Sequence, residues 1–347
     1  MGPGTLEAKL IPIAESEHIK DIFVLRKAEG PKINKVQYII LPHICKYKFF
    51  NLLITPFLLT YHAKKRKVNL ILSYHFIPHT IFAFIASIIT RIPYNFSQTG
   101  LLIEKYVQNK IVGKIFIYII RSSLFINVPG EKSKKFWIQK GIDEKKLFVL
   151  HSKIDAEIFK PDNQTKIYDF IYLGRLSKEK RVHLIIYGIK ELIGQGIKTS
   201  LAIVGNGPES CKLVELTNSL NLQEYVTFTG FTHNTASWLN KARIFLLTSE
   251  TEALPTALMQ AMSCKLVCVA PDIGNISDLV ISDINGYLFQ KDNIGSFHNL
   301  MKAALVNYDL LQPLRENARN MIKSKYVYSN ATELWDKILR QELNELM

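Results

Sequence analysis

The chain has 347 residues, of which 48% are hydrophobic, 21% charged and 11% aromatic; that is more chain than one core usually organises and too apolar for intrinsic disorder, so two globular domains are expected. Four cysteines, Cys45, Cys211, Cys264 and Cys268, form no C-x-x-C pair, which excludes a disulfide scaffold and a structural zinc site and fits a reducing, cytoplasmic setting. The net charge of +14 is lopsided: residues 1–150 hold 23 Lys/Arg against 9 Asp/Glu, and residues 151–347 hold 21 against 21. Only the first half therefore calls for an anionic partner, and phospholipid headgroups, nucleic acid or a phosphorylated substrate are the classes to weigh. Nucleic acid is set aside because the basic residues alternate with aliphatic runs and no nucleic-acid motif occurs.

The opening MGPGTLEAKL has no apolar signal core, so nothing in it supports secretion. A Rossmann-like unit opens with a strand and then a glycine turn, yet Gly2-Pro3-Gly4-Thr5 is followed at once by a helix-like stretch, Leu6–His18. On this reading Gly4 belongs to the turn after a first strand that is missing, and it is counted among the acceptor-side residues. Supplying about ten apolar residues upstream is then expected to raise stability and activity together, because an absent central strand leaves backbone groups unpaired. Strands are expected at Ile22–Leu25, Val36–Ile40, Val68–Ser73, Ile92–Phe96, Leu124–Val128 and Leu147–Leu150.

Phe49–His62 is uncharged, is expected to break at Pro56, and runs into Lys64, Lys65, Arg66 and Lys67. Apolar surface beside a basic cluster suits a protein lying on an anionic membrane. No charge occurs from Val68 to Thr90 either, but Asn69, Ser73, His75, Pro78 and His79 punctuate that run, so a strand and a helix from His79 to Ile89 are expected in place of a membrane span. His75, Gln98, Thr99 and Gly100 follow strands and are the remaining acceptor-side candidates.

Apolar runs stop at His151–Lys166, where polar residues and Pro161 mark a linker. The expected organisation is a Rossmann-like domain over residues 1–152, a second over 153–327, and a C-terminal helix over 328–347 that crosses back to the first. In the second domain strands are expected at Tyr168–Leu173, Ser200–Val204, Tyr225–Phe228, Ile244–Leu247 and Leu266–Val269. The alternation of strand and helix implies doubly wound α/β units with parallel sheets.

Four segments at the ends of these strands carry the chemistry. Tyr172-Leu-Gly-Arg-Leu-Ser-Lys-Glu-Lys-Arg181 puts Gly174 in a turn, with Arg175 and Lys180 ahead of a helix whose free N–H groups favour anions, a setting suited to a diphosphate. Val204-Gly-Asn-Gly-Pro208 supplies Gly205, Gly207 and Pro208, and Phe228-Thr-Gly-Phe231 supplies Gly230 and Phe231. Neither is a dinucleotide fingerprint, but together they describe the carboxyl edge where α/β sheets bind nucleotides. In Thr248-Ser-Glu-Thr-Glu-Ala-Leu-Pro-Thr-Ala-Leu-Met-Gln260, Pro255 opens a helix. The N–H groups of Thr256 and Ala257 are then free for an anion, Glu252 can accept from sugar hydroxyls, Leu254 lies between, and Gln260 can reach a ribose.

This ordered set, Gly-Arg-Leu-Ser-x-Glu-Lys, Ile-Val-Gly-x-Gly-Pro, Val-x-Phe-x-Gly, Ser-x-x-Glu-x-x-Pro, Gly-x-x-x-Asp and Asn-Gly-x-Leu-Phe, resembles the donor half of family-4 retaining glycosyltransferases of the GT-B fold, from about Leu124 onward. The resemblance implies two Rossmann-like domains facing a cleft. It also implies that Arg175 and Lys180 bind the donor diphosphate, that Glu252 acts on the transferred sugar, and that Gly174, Gly205, Gly207, Pro208, Gly230, Phe231, Leu254, Thr256, Ala257 and Gln260 line the donor site. The implied reaction moves a sugar from a nucleotide-diphosphate sugar to a hydroxyl acceptor, lipid-linked or not, in cell-surface polysaccharide or glycolipid biosynthesis at the inner face of the cytoplasmic membrane. No cofactor is implied, and because no Asp-x-Asp pair occurs, no metal is required. Gln260 stands where the family has a glutamate, Asp278 where it has Glu, Ala253 where it has Gly, and His151-Ser-Lys where it has Pro-Asn-Gly. An amide accepts hydrogen bonds less strongly than a carboxylate, so these departures leave open a weakly active or inactive partner subunit.

Overall fold

The computed structural model describes residues 3–162 and 164–344. It divides into two units, Met1–Ser152 with Tyr328–Met347, and Lys153–Val327.

Unit one opens with α1 (Pro3–Glu15), then a parallel pair, β1 (Ile22–Arg26) and β2 (Val36–Ile40). Gly4 sits in the first turn of α1, and the helix starts earlier than its sequence suggests because proline's fixed φ suits the first helical position. Gly2, the start of the supposed turn, lies outside the described residues. α2 (Lys48–Lys65) runs through Pro56 without a break. The proline is buried on the inner side of the helix, where packing offsets its missing N–H, and Thr60 donates its hydroxyl to the Pro56 carbonyl at 2.8 Å.

A wide turn at Phe76–Thr80 leads into α3 (Ile81–Thr90), followed by β3 (Phe96–Ser97), α4 (Leu102–Tyr106), α5 (Val112–Arg121), β4 (Ile126–Val128), α6 (Glu131–Gln139) and β5 (Leu147–Val149). The expected strand Val68–Ser73 is reduced to isolated bridges, Ile71 to Tyr94 and Tyr74 to Ser97. Side chains have entered the ladder: the Ser73 amide donates to Asn95 Oδ1 at 3.0 Å, and the Ser73 hydroxyl to the Asn95 carbonyl at 2.5 Å. β3, β4 and β5 form a parallel sheet, and among the described residues no pairing joins it or residues 71–74 to the β1–β2 pair.

Unit two contains β6 (Tyr168–Leu173), α7 (His183–Gly194), β7 (Leu201–Val204), α8 (Ser210–Ser219), β8 (Val226–Gly230), α9 (Thr235–Asn240), β9 (Ala242–Leu246), α10 (Thr256–Ser263), β10 (Val267–Pro271), β11 (Tyr287–Phe289), α11 (Ile294–Val306) and α12 (Gln312–Lys325). The strands lie in the order β11-β10-β9-β6-β7-β8 and every pair is parallel. Both faces are covered: Ile171 and Leu173 of β6 enter a core with Phe245 and Met259, while the alternate Phe170 and Tyr172 enter another with Ile186 and Phe297. The winding reverses between β6 and β9, and in such sheets the crevice at that point, beyond the strands' carboxyl ends, is where ligands bind.

The last helix, α13 (Tyr328–Asn344), belongs to unit one. Its Trp335, Ile338 and Leu339 pack with Ile13 of α1 and with Phe125, and Asp336 accepts from the Ser16 hydroxyl at the end of α1.

Candidate functional site

The loops after β6, β7 and β8 are stitched edge to edge by backbone bonds: Gly174 N–H to the Val204 carbonyl at 3.0 Å, Leu176 N–H to Asn206 at 3.0 Å, and Gly205 N–H to Gly230 at 2.9 Å. Glycine is required where they meet. Gly205 has φ 141°, and a Cβ there would stand 1.9 Å from the Gly174 carbonyl oxygen; one on Gly207 would stand 2.2 Å from that of Leu176. The phenol of Tyr172, buried under the sheet edge, donates to the Arg175 carbonyl at 2.9 Å and fixes the turn that presents the exposed Arg175. Burial raises the pKa of that phenol well above its ordinary value, so it remains a donor.

Across the winding reversal, the loops after β6 and β9 come together. Lys180 Nζ donates to Glu252 Oε1 at 2.6 Å, in a pair whose side chains are 22% and 12% exposed. Ser249 Oγ donates to the same oxygen at 2.7 Å. The strand-end loops are tied by the Glu250 amide donating to the Glu179 carbonyl at 2.7 Å and by the Thr248 hydroxyl donating to the Lys180 carbonyl at 3.0 Å. Behind them the Asn275 amide N–H donates to the Ala253 carbonyl at 3.0 Å. The Glu179 carboxyl is held below its ordinary pKa, chiefly by the Ser177 hydroxyl donating to it at 2.6 Å and by its own backbone N–H.

Pro255 caps α10, so the helix presents the first N–H groups, at Thr256 and Ala257, with no intrahelical partner. Gln260 lies one turn further along the same face and is half-buried. Phe231 is exposed just beyond β8, with the His233 ring meeting it edge-on at 4.8 Å. Leu254, by contrast, is buried in the core with Leu258 and Met259, so its side chain anchors the loop. Among the described residues no group of three His, Cys, Asp or Glu side chains could hold a metal ion.

In unit one, His75, Gln98, Thr99 and Gly100 do converge, on a cavity of about 110 Å³. Phe76, Phe96 and Tyr106 supply its apolar wall. His75 has φ 67°, in the left-handed region that side chains seldom adopt. Its Nδ1 is hydrogen-bonded to the Thr99 hydroxyl at 2.5 Å, and partial burial, then Lys9 and His79, push its pKa down to about 4. Gln98 is already committed: its amide donates to Glu104 at 2.7 Å and to the Gly100 carbonyl at 3.1 Å, while its oxygen accepts from Trp137 Nε1 at 2.7 Å. It braces the pocket, leaving His75 and Thr99 as the groups that face it. The sequence missed this bracing, and missed Tyr172, Ser249 and Asn275 as positioning residues; only the Ser249-x-x-Glu252 spacing hinted at one of them.

The chain has the α/β architecture of GT-B proteins, and its second unit brings the Lys180–Glu252 pair and the N-terminus of α10 to the reversal point of its sheet. Residues 153–321, nearly the whole of the second unit, match the family glycosyl transferases group 1. N-acetyl-alpha-D-glucosaminyl L-malate synthase of Bacillus anthracis is 26% identical over 178 residues, 50% of this chain and 46% of that protein. The putative colanic acid biosynthesis glycosyltransferase WcaL of Escherichia coli (strain K12) is 27% identical over 198 residues, 54% and 49% of the two chains. In both cases the matched segment spans about half the length of the relative. HepE of Anabaena, solved in complex with UDP, shares the fold with a TM-score of 0.80 at 17% identity, over 99% of this chain and 97% of HepE.

Proposed function

We propose that this chain is a retaining glycosyltransferase, moving a sugar from a nucleotide-diphosphate sugar to a hydroxyl acceptor in cell-surface polysaccharide or glycolipid biosynthesis. The observation that carries the reading is the Lys180–Glu252 pair at the reversal point of the sheet, beside the open N-terminus of α10. Arg175, Lys180 and the N–H groups of Thr256 and Ala257 neutralise the diphosphate. Charge that develops on the leaving group is met by donors already in place, which is the main catalytic contribution. Lys180 has three N–H bonds and spends one on Glu252, so it can bridge that carboxylate to a phosphate oxygen. Glu252 is thereby held where it can accept from a hydroxyl of the sugar.

The bond from the anomeric carbon to the phosphate oxygen breaks as the acceptor oxygen bonds on the same face, and the acceptor's proton passes to the departing phosphate. Gly205, Gly207 and Pro208 flank the base, Phe231 covers it, and Gln260 bonds the ribose. Unit one binds the acceptor at the His75–Thr99 pocket. That acceptor is lipid-linked, and the chain works as a peripheral protein on the inner face of the cytoplasmic membrane. UDP, the nucleotide in the HepE complex, is the first donor base to test. Incubating the purified chain with a panel of nucleotide sugars and following nucleoside diphosphate release is the direct experiment. Tight UDP binding with no release from any sugar, with or without lipid acceptors, would favour a non-catalytic subunit instead.

A further inference from the structure

Three neighbouring helices of unit one carry apolar side chains on the sides turned away from the core. On α2 the inner side is formed by Thr55, Pro56, Leu59 and Ala63, which meet a core containing Ile71, Ala83 and Tyr94. The outer side carries Phe49, Leu53, Phe57 and Tyr61, four residues apart and all exposed, Phe57 at 72%. A helix apolar on opposite sides does not match a surface in contact with water alone. α3 packs on α2 and shows Ile85, Ile88 and Ile89 outward. α5 is joined to α3 by the Phe84–Tyr118 ring contact at 6.2 Å and shows Ile115 and Tyr118, with Ile111 just ahead of it 77% exposed. Exposed apolar side chains gathered on three helices that touch one another mark an interaction surface.

Charge identifies the occupant. Between residues 30 and 130 there are thirteen Lys and Arg and one carboxylate, Glu104. Gln98 and Ser133 both donate to Glu104, which turns it towards the pocket brace. Lys64 and Lys65 are exposed at the end of α2, and Lys114 and Arg121 on α5. Lys65 Nζ lies 5.4 Å from the Tyr61 ring centre, a cation at the edge of the apolar stripe. A second copy of this chain would set like charge against like charge across the interface, whereas an anionic bilayer satisfies both the cations and the apolar stripe. No helix among the described residues is long and apolar enough to cross a membrane.

We propose that the outward faces of α2, α3 and α5 seat unit one on an anionic phospholipid bilayer, with Phe49, Leu53, Phe57, Ile88 and Ile115 in the acyl boundary and the flanking lysines among the headgroups. The inner side of α5, behind this face, packs against the His75–Thr99 pocket: Phe76 of the pocket wall meets Phe116 of α5 at 4.6 Å, and Tyr106 meets the same ring at 6.5 Å. An acceptor headgroup at the bilayer surface is thus presented beside that pocket, a point that rests on the transferase reading, whereas the docking itself does not.

The test is sedimentation of the full chain with phosphatidylglycerol–phosphatidylcholine vesicles, against phosphatidylcholine alone, together with UDP calorimetry without vesicles. Phe57→Asp with Ile115→Asp should lower the vesicle partition coefficient at least about tenfold, since two apolar anchors become charged, with melting temperature and UDP affinity unchanged. Lys64→Gln with Lys65→Gln should lower it about fivefold per lysine at low salt and hardly at all at high salt. Wild-type-like binding by the aspartate variant overturns the proposal, as does failure of the wild type to bind anionic vesicles, or a solution dimer that the aspartate substitutions dissociate. A chain that binds vesicles but not UDP refutes the transferase reading and leaves the docking face standing.

Discussion

Lys180 and Glu252 should be energetically coupled in nucleotide binding, and a double-mutant cycle measures the coupling. The pair is close, 2.6 Å, and its side chains are only 22% and 12% exposed. At an effective dielectric constant near 20 the gross attraction between charges about 4 Å apart is about 4 kcal/mol, and desolvation offsets much of it, so a net coupling of about 1–2 kcal/mol is expected. Lys180→Met removes a charged hydrogen bond to the diphosphate, about 1.5–3 kcal/mol. It also leaves Glu252 uncompensated beside the phosphates, so UDP affinity should fall about 30-fold or more, each tenfold being 1.4 kcal/mol. Glu252→Gln frees Lys180 and removes the nearby negative charge. UDP affinity should then hold or rise severalfold while transfer falls at least about 100-fold, the loss expected when a group acting on the reacting sugar is neutralised. The double variant should bind UDP more tightly than Lys180→Met alone. Isothermal calorimetry with UDP and a turnover assay on the four proteins provide the readout. Additive effects, within about 0.5 kcal/mol, would show that the two side chains do not share the ligand; loss of UDP binding in Glu252→Gln with transfer intact would reverse their roles.

Arg175→Ala, at an exposed position, should weaken UDP binding by about 1.5–3 kcal/mol with no change in melting temperature; unchanged affinity would place the diphosphate elsewhere. Gly205→Ala should destabilise unit two by about 2–4 kcal/mol, because the new Cβ would press on the Gly174 carbonyl in a backbone conformation that side chains rarely adopt; a thermal scan matching wild type would refute the turn geometry. His75, whose pKa is lowered to about 4, stays neutral at pH 5–8. The unfolded chain takes up its proton near 6.5, so the contribution of this group to stability is complete above that pH and is lost as pH falls towards 4. An NMR titration of the ring with a midpoint near 6.5 would contradict this. Transfer should be unaffected by EDTA if the cations alone neutralise the diphosphate, and activity lost to the chelator and restored by magnesium would require a metal in the mechanism.

Unit two was legible because its strands are buried on both faces and therefore appear as continuous apolar runs, and because each glycine turn is a local requirement of backbone crowding. β11 was not, since Tyr287–Phe289 is too short to stand out from the loop around it. In unit one the sequence signal weakened for a different reason. Ser73 and Asn95 diverted ladder positions into side-chain bonds, and burial allowed α2 to continue through Pro56; both outcomes depend on neighbours remote in sequence. The same distinction applies to the sites. The expectation of an anion-binding edge at Arg175, Lys180, Glu252 and Pro255 came from residue types and spacing alone, because charge and a helix-opening proline are properties of single residues. That Lys180 meets Glu252, that Gln98 is consumed by Trp137 and Glu104, and that the outer side of α2 is left uncovered were decided by the tertiary structure, since a hydrogen bond or an exposed face exists only once distant segments have packed.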